Sequence, residues 1–160
     1  MRTTDKPTLQ VFHIEGVKHI NPADALEALN NGEAVMIDVR EINEVSQERV
    51  PLDRVLNHPM SVIMERLPYI PKDQHIIVAC SGGVRSARIV SLLMQNGYTS
   101  LASLDGGLKT WIAQGLPIER NTSTCGCGCS PGTKSKETIL KTKPANIITK
   151  SIDFKNLKRI

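Results

Sequence analysis

Cys80 closes an apolar run, Ile76-Ile77-Val78-Ala79, and is followed by Ser81-Gly82-Gly83-Val84-Arg85-Ser86. That order describes a strand covered on both faces that ends in a thiol and feeds a helix. Gly82 and Gly83 permit a sharp turn that aims backbone N–H groups inwards. Ile89, Leu92 and Leu93 then repeat at the spacing of one buried helical face, so the loop sits on a helix N-terminus. An unperturbed thiol ionises near pKa roughly 8.5, and a helix N-terminus beside a cation lowers this to about 3.5–7.5. Cys80 is therefore expected to be a nucleophile at neutral pH without a histidine base. The N–H groups of residues 81–86, with the Arg85 guanidinium, would stabilise its thiolate, a terminal persulfide anion or the oxygens of an incoming oxyanion. The plainer reading, a buried structural cysteine beside an ordinary turn, leaves the paired glycines and the arginine without a purpose.

Only Ser81, Gly82, Gly83 and Val84 separate Cys80 from Arg85. Cysteine phosphatases and arsenate reductases encircle a tetrahedral oxyanion with a longer ring. The tighter spacing favours a single sulfur atom over a phosphate, which makes oxyanion reduction or phosphatase chemistry the weakest reading.

The loop needs a sheet to hold it, and the flanking pattern supplies one. Residues 17–20 are a short strand candidate, and Asn21-Pro22-Ala23-Asp24 reads as an N-cap with proline at the first helical position. Pro22, Ala25, Leu26 and Leu29 share a face, and Asn31-Gly32 stops the helix. Strands are expected over 34–38 and 76–79, with an edge strand over 54–57 and the last strand within 98–104. A short helix spans 41–47. Met60, Ile63, Met64 and Leu67 repeat at helical spacing before Pro68 and Pro71, with Met60 and Met64 read as core filler. Leu108, Trp111 and Ile112 define a closing helix. The alternation implies a mostly parallel sheet with helices on both faces, and ligands in such sheets bind at the carboxyl ends of strands. Cys80 and Asp38 both stand at such ends. His13, His19, His58 and His75 lack metal-ligand spacing and read as surface or cap residues.

Three motifs in order resemble the rhodanese (sulfurtransferase) family. They are Met36-Ile37-Asp38-Val39-Arg40-Glu41 with Glu44 following, the loop from Cys80 to Ser86, and Leu104-Asp105-Gly106-Gly107 with Trp111, Gly115 and Pro117. The resemblance covers roughly residues 18–118. It implies an α/β rhodanese-like fold with a mostly parallel five-stranded sheet. It also implies that Cys80 takes a sulfane sulfur from a donor such as thiosulfate or a persulfide and passes it to a thiophilic acceptor, in two steps. Ser81, Gly82, Gly83, Val84, Arg85 and Ser86 would bind the substrate, with Asp38 and Arg40 as supporting buried polar contacts. No cofactor is required for that transfer, and the partners are a small sulfur donor, a thiol acceptor or a sulfur-relay protein. The family's Gly-His-Ile-x-Gly-Ala segment is not kept in residues 48–56, where Arg49 stands near the histidine position. One such domain fits in these residues, so a single domain rather than a tandem arrangement with an inactive partner domain is expected.

Of 160 residues, 40% are hydrophobic and 3% aromatic, so aliphatic side chains must build the core and base stacking has little to work with. Nucleic acid is not an expected partner. The start lacks a signal-peptide core and no segment has a membrane span's run of apolar residues, so a cytoplasmic location is expected. Three stretches are expected: an N-terminal extension over 1–16, the domain over 17–120 and a Cys-rich tail over 121–160. Residues 1–120 carry 12 Lys+Arg against 14 Asp+Glu, a net of −2, while 121–160 carry 8 against 2, a net of +6. A basic tail can steer anionic partners, although a solvated tail is the blander reading.

Cys125, Cys127 and Cys129, spaced by glycines, lie in that tail. Such pairs suit Cu(I), Zn(II) or an iron–sulfur centre, though three thiolates leave zinc one ligand short. Alternatively the thiols accept sulfur from Cys80, or the segment is a plain linker. A binding or regulatory module that presents this tail is the second reading of the whole chain. Residues 149–154 alternate well enough for an edge strand or a docking segment.

Overall fold

Five short parallel strands form the sheet that carries Cys80. The structure, a computed structural model, describes residues 1–121. The strands are β1 (His19–Ile20), β2 (Ala34–Asp38), β4 (Val55–Asn57), β5 (His75–Ala79) and β6 (Leu101–Leu104). They lie in the order β1-β6-β5-β2-β4, every pairing parallel. β5 is central, with Ile37 of β2 level with Val78, which in turn is level with Ser103 of β6. Because all strands run one way, the segments following β2, β5 and β6 emerge side by side at one end of the sheet.

Side chains alternate across the sheet, as the two-residue period of a strand requires. On one face Ile37, Ile76, Val78 and Leu101 pack with Ala87, Ile89, Val90 and Leu93 of α4 (Val84–Gln95) and Ile63 of α3 (Ile63–Arg66). On the other, Met36, Ile77, Ala102 and Leu104 pack with Ala25, Ala28 and Leu29 of α1 (Pro22–Asn30) and Leu108 and Trp111 of α5 (Gly107–Ala113). Each fully buried aliphatic side chain of this kind is worth about 1.5–3 kcal/mol. Trp111 adds a hydrogen bond from Nε1 to Pro117 O at 2.9 Å, which satisfies the buried indole and pins the chain beyond Gly115.

Local signals set the element ends. The Asn21 side chain accepts from Ala23 N at 3.0 Å, with Pro22 opening the helix. Glu41 precedes α2 (Ile42–Gln47), and its N–H donates to Glu44 Oε2 at 3.2 Å.

Several expectations need correction. The helical spacing over 60–67 becomes a 3-10 turn (Met60–Val62), the short α3 and a second 3-10 turn (Leu67–Tyr69), and Met64 is 56% exposed rather than core filler. A four-residue helix turns too little for the whole periodic row to face inwards. His19 and His58 are buried rather than surface residues. The first strand is only His19–Ile20, and β6 is not the last: β7 (Glu119–Arg120) pairs antiparallel with β3 (Glu48–Arg49) in a separate ribbon. Apart from these corrections, Thr4 in the N-terminal extension is bridged to His19.

Candidate active site

Cys80 follows β5 and is 1% exposed. Its Sγ accepts from Gly83 N at 3.1 Å and Ser86 N at 3.3 Å, and lies 3.5 Å from Ser86 Oγ. The donors come from the first turn of α4, whose N-cap, Gly83, has φ +88°. That left-handed conformation favours glycine, whereas Gly82 has no such requirement. The Ser86 hydroxyl donates to Gly83 O at 3.0 Å and shares a 2.9 Å hydrogen bond with Ser103 Oγ on β6. Two backbone donors that aim at one sulfur atom can hold negative charge there.

The loop's outer carbonyls are tied down by α5. Leu108 N donates to Cys80 O at 2.8 Å and Lys109 N to Ser81 O at 3.0 Å. Gly107 permits that approach: a Cβ there would lie 2.5 Å from Cys80 O and 2.7 Å from Gly83 N. The paired glycines after β6 therefore shape the floor of the Cys80 loop.

The Arg85 guanidinium, expected to serve the sulfur, is bound elsewhere. Its Nη1 and Nη2 donate to Glu44 Oε2 and Oε1, both at 2.7 Å, and Nη2 also donates to Ser81 Oγ at 2.9 Å. Ser81 Oγ donates to Glu44 Oε1 at 2.8 Å, closing a three-membered clamp across the loop. The Arg85 hydrogen bond holds the Glu44 carboxyl at about 2, against burial and with help from Ser81. Glu44 in turn raises the Arg85 pKa, with smaller contributions from Cys80 and Asp38.

Asp38 and Arg40 form a buried pair at the neighbouring strand end. Arg40 Nε and Nη2 donate to Asp38 Oδ2 at 3.0 and 2.8 Å, and Nη2 also donates to Glu48 O at 2.9 Å. Asn57 Nδ2 bridges Asp38 O and Arg40 O at 2.9 and 3.0 Å. Arg49 pairs with Glu119 at 2.7 Å and lines a cleft with Ile42, Val45 and Asn57.

The N-terminal segment reaches the site, which residue spacing did not foretell. Thr8 N, Thr8 Oγ1 and Leu9 N all donate to Asp105 Oδ2, at 2.6, 3.0 and 3.0 Å. Gln10 Oε1 accepts from Gly106 N at 3.0 Å and occupies the space where Gly83 would carry a side chain. Ser103 was discoverable as the one polar residue in Leu101-Ala102-Ser103-Leu104. Thr8 and Gln10 carried no signal, because their roles depend on chain path alone.

Cys125, Cys127 and Cys129, and the strand expected over 149–154, lie outside the described residues. Among the described residues, no group of three or more His, Cys, Asp or Glu is arranged to hold a metal ion. No helix among them is long and apolar enough to cross a membrane.

Fold and site together define a parallel α/β domain that holds a cysteine sulfur in a short backbone cradle at a strand end. The family model described as the rhodanese-like domain matches residues 21–114, and the chain belongs to that family. It is 36% identical over 86 residues to a sulfurtransferase from Allochromatium vinosum, covering 54% of this chain and 78% of that protein. It is 30% identical to the thiosulfate sulfurtransferase GlpE of Glaesserella parasuis, covering 66% of this chain and 95% of that one. The crystal structure of a rhodanese-related protein from Thermoplasma volcanium superposes with a TM-score of 0.57 at 31% identity, covering 63% of this chain and 96% of that chain. Other relatives are larger: the chain spans 31% of a tRNA uridine(34) hydroxylase from Salmonella newport, at 28% identity.

Proposed function

We propose that this chain is a sulfurtransferase in which Cys80 carries the sulfur. The Cys80 thiolate attacks the sulfane sulfur of a donor such as thiosulfate or a persulfide, the donor's S–S bond breaks, and a Cys80 persulfide forms. An acceptor thiolate then attacks the outer sulfur and restores the Cys80 thiolate. No electrons are gained or lost overall, so the cycle needs no cofactor.

The observation that carries this reading is the pair of N–H bonds from Gly83 and Ser86 to Cys80 Sγ. They suit an anionic sulfur that must be both nucleophile and leaving group. The relatives named sulfurtransferase support the same reaction class.

The test is thiocyanate formation from a sulfane donor and cyanide, with the intact mass of the protein followed in parallel. One added sulfur on Cys80, and loss of both signals in Cys80→Ser, is the expected result. Full turnover by Cys80→Ser would overturn the proposal.

A further inference from the structure

The donor class follows from how the loop's cation is held. An oxyanion such as thiosulfate is recognised best by a guanidinium fork that offers two parallel N–H bonds. Arg85 is the cation built into this loop, and both arms of its fork are filled by Glu44 Oε1 and Oε2 at 2.7 Å. A third bond, to Ser81 Oγ, further restrains its Nη2. Arg40, at the adjacent strand end, is likewise committed to Asp38 and to Glu48 O. Lys109, whose N–H holds Ser81 O, keeps an exposed side chain, a mobile and hydrated point charge rather than a fork.

The carboxylate does more than occupy the fork. Glu44 stays ionised at any working pH, because Arg85 holds its carboxyl at about 2. The clamp across the loop is therefore an ion pair of zero net charge. A dianion approaching the Cys80 thiolate meets twice the repulsion of a monoanion, with no free fork in the loop to offset it. A thiol-borne persulfide, R–S–SH or its monoanion, needs no fork. Its sulfane sulfur is a single atom that fits donors arranged for one atom, those on Gly83 and Ser86. Val84, at the loop's outer turn, is 39% exposed and offers an apolar contact to the R group.

From this we infer that Glu44 is a specificity-determining residue: by neutralising Arg85 it turns the Cys80 loop against dianionic thiosulfate and towards a singly charged thiol persulfide. The inference rests on Cys80 being the sulfur carrier. In the balanced step, Cys80–S⁻ attacks the outer sulfur of R–S–SH. The donor S–S bond breaks, R–S⁻ departs with that bond's electron pair, and Cys80–S–SH remains.

The experiment loads the reduced full-length protein with 2-mercaptoethanol persulfide, whose only charge is on the persulfide, or with thiosulfate at matched concentrations, and follows sulfur addition by intact mass against a Cys80→Ser control. The expected loading constant for the persulfide is about tenfold or more above that for thiosulfate. In Glu44→Gln, which keeps the side chain's shape while releasing the guanidinium charge, the thiosulfate-to-persulfide ratio rises by about tenfold. Equal or faster loading from thiosulfate in the unmodified protein overturns the inference without any variant, as does an unchanged ratio in a folded Glu44→Gln. If neither donor loads Cys80, the carrier assignment itself fails and the donor preference falls with it. Loading from both donors without preference defeats the specificity role alone.

Discussion

The Glu44 carboxylate grips the Arg85 guanidinium in a two-point contact, each bond 2.7 Å long, between the first turns of α2 and α4. The motif ending β2 is thereby fastened to the sulfur loop ending β5. Glu44 titrates at about 2 in the fold against an ordinary 4.5, first through Arg85 and then through Ser81 and the Glu41 N–H, with burial opposing. A folded pKa below the unfolded one stabilises above the unfolded value, and that stability is lost as pH falls through the folded value. Urea unfolding from pH 6 downwards should therefore show a loss between 4.5 and about 2 that is absent in Glu44→Gln. With the two side chains 32% and 36% exposed, solvent screening holds the effect to about 1 kcal/mol or less.

Removing one member of the Asp38–Arg40 pair should cost far more than removing both. Arg40→Leu strands a carboxylate that is 4% exposed, a penalty of about 3–5 kcal/mol. Adding Asp38→Asn should recover most of it. Denaturant midpoints of the single and double variants check this, and an additive double variant would contradict it.

Gly107→Ala should damage stability and sulfur loading together. The methyl would meet Cys80 O and the Gly82 and Gly83 N atoms at 2.5–2.8 Å, and the backbone there has φ +63°. Left-handed strain of about 1–2 kcal/mol and overpacking of about 1–3 kcal/mol both apply. Gly97→Ala, with φ +86° and nothing within 4 Å, isolates the first effect and should leave loading intact.

Asp105 should govern the order of the N-terminal segment. In Asp105→Ala the three donors on Thr8 and Leu9 lose a charged acceptor, at a cost of about 1.5–3 kcal/mol. Hydrogen exchange should then accelerate at the Thr8 and Leu9 amides while the amides of β5 stay protected.

His19 should titrate below 6.5. Burial is the main cause, Asp105 opposes it, and His13, 3.2 Å away between ring nitrogens, reinforces it. The unfolded chain then takes up the proton first on acidification, so this residue's contribution is full above 6.5 and declines below it. NMR titration should place the midpoint of His19 under 6.5, and His13→Ala should move it upwards.

Much of the site was legible because its signals are local. An apolar run meeting Cys80, glycines, then Arg85 and a helical repeat describes a strand, a turn and a helix whose order is dictated within the chain. Asn21-Pro22 marked a helix start, and residues 34–38 a buried strand, for the same reason. The row over 60–67 misled because periodicity says nothing of how long a helix is allowed to run before Pro68.

Sequence alone picked out the thiol proposed as nucleophile, the short ring around it and the alternation that makes the sheet parallel, since each rests on neighbouring residues. Only the tertiary structure decided what Arg85 does. Its charge was visible from the chain, but its partner Glu44 lies 41 residues away and meets it because β2 and β5 are adjacent. Asp105 reaches Thr8 across 97 residues on the same terms. A side chain's chemistry is intrinsic, whereas the charge left over for a substrate depends on which other charges the fold brings within reach.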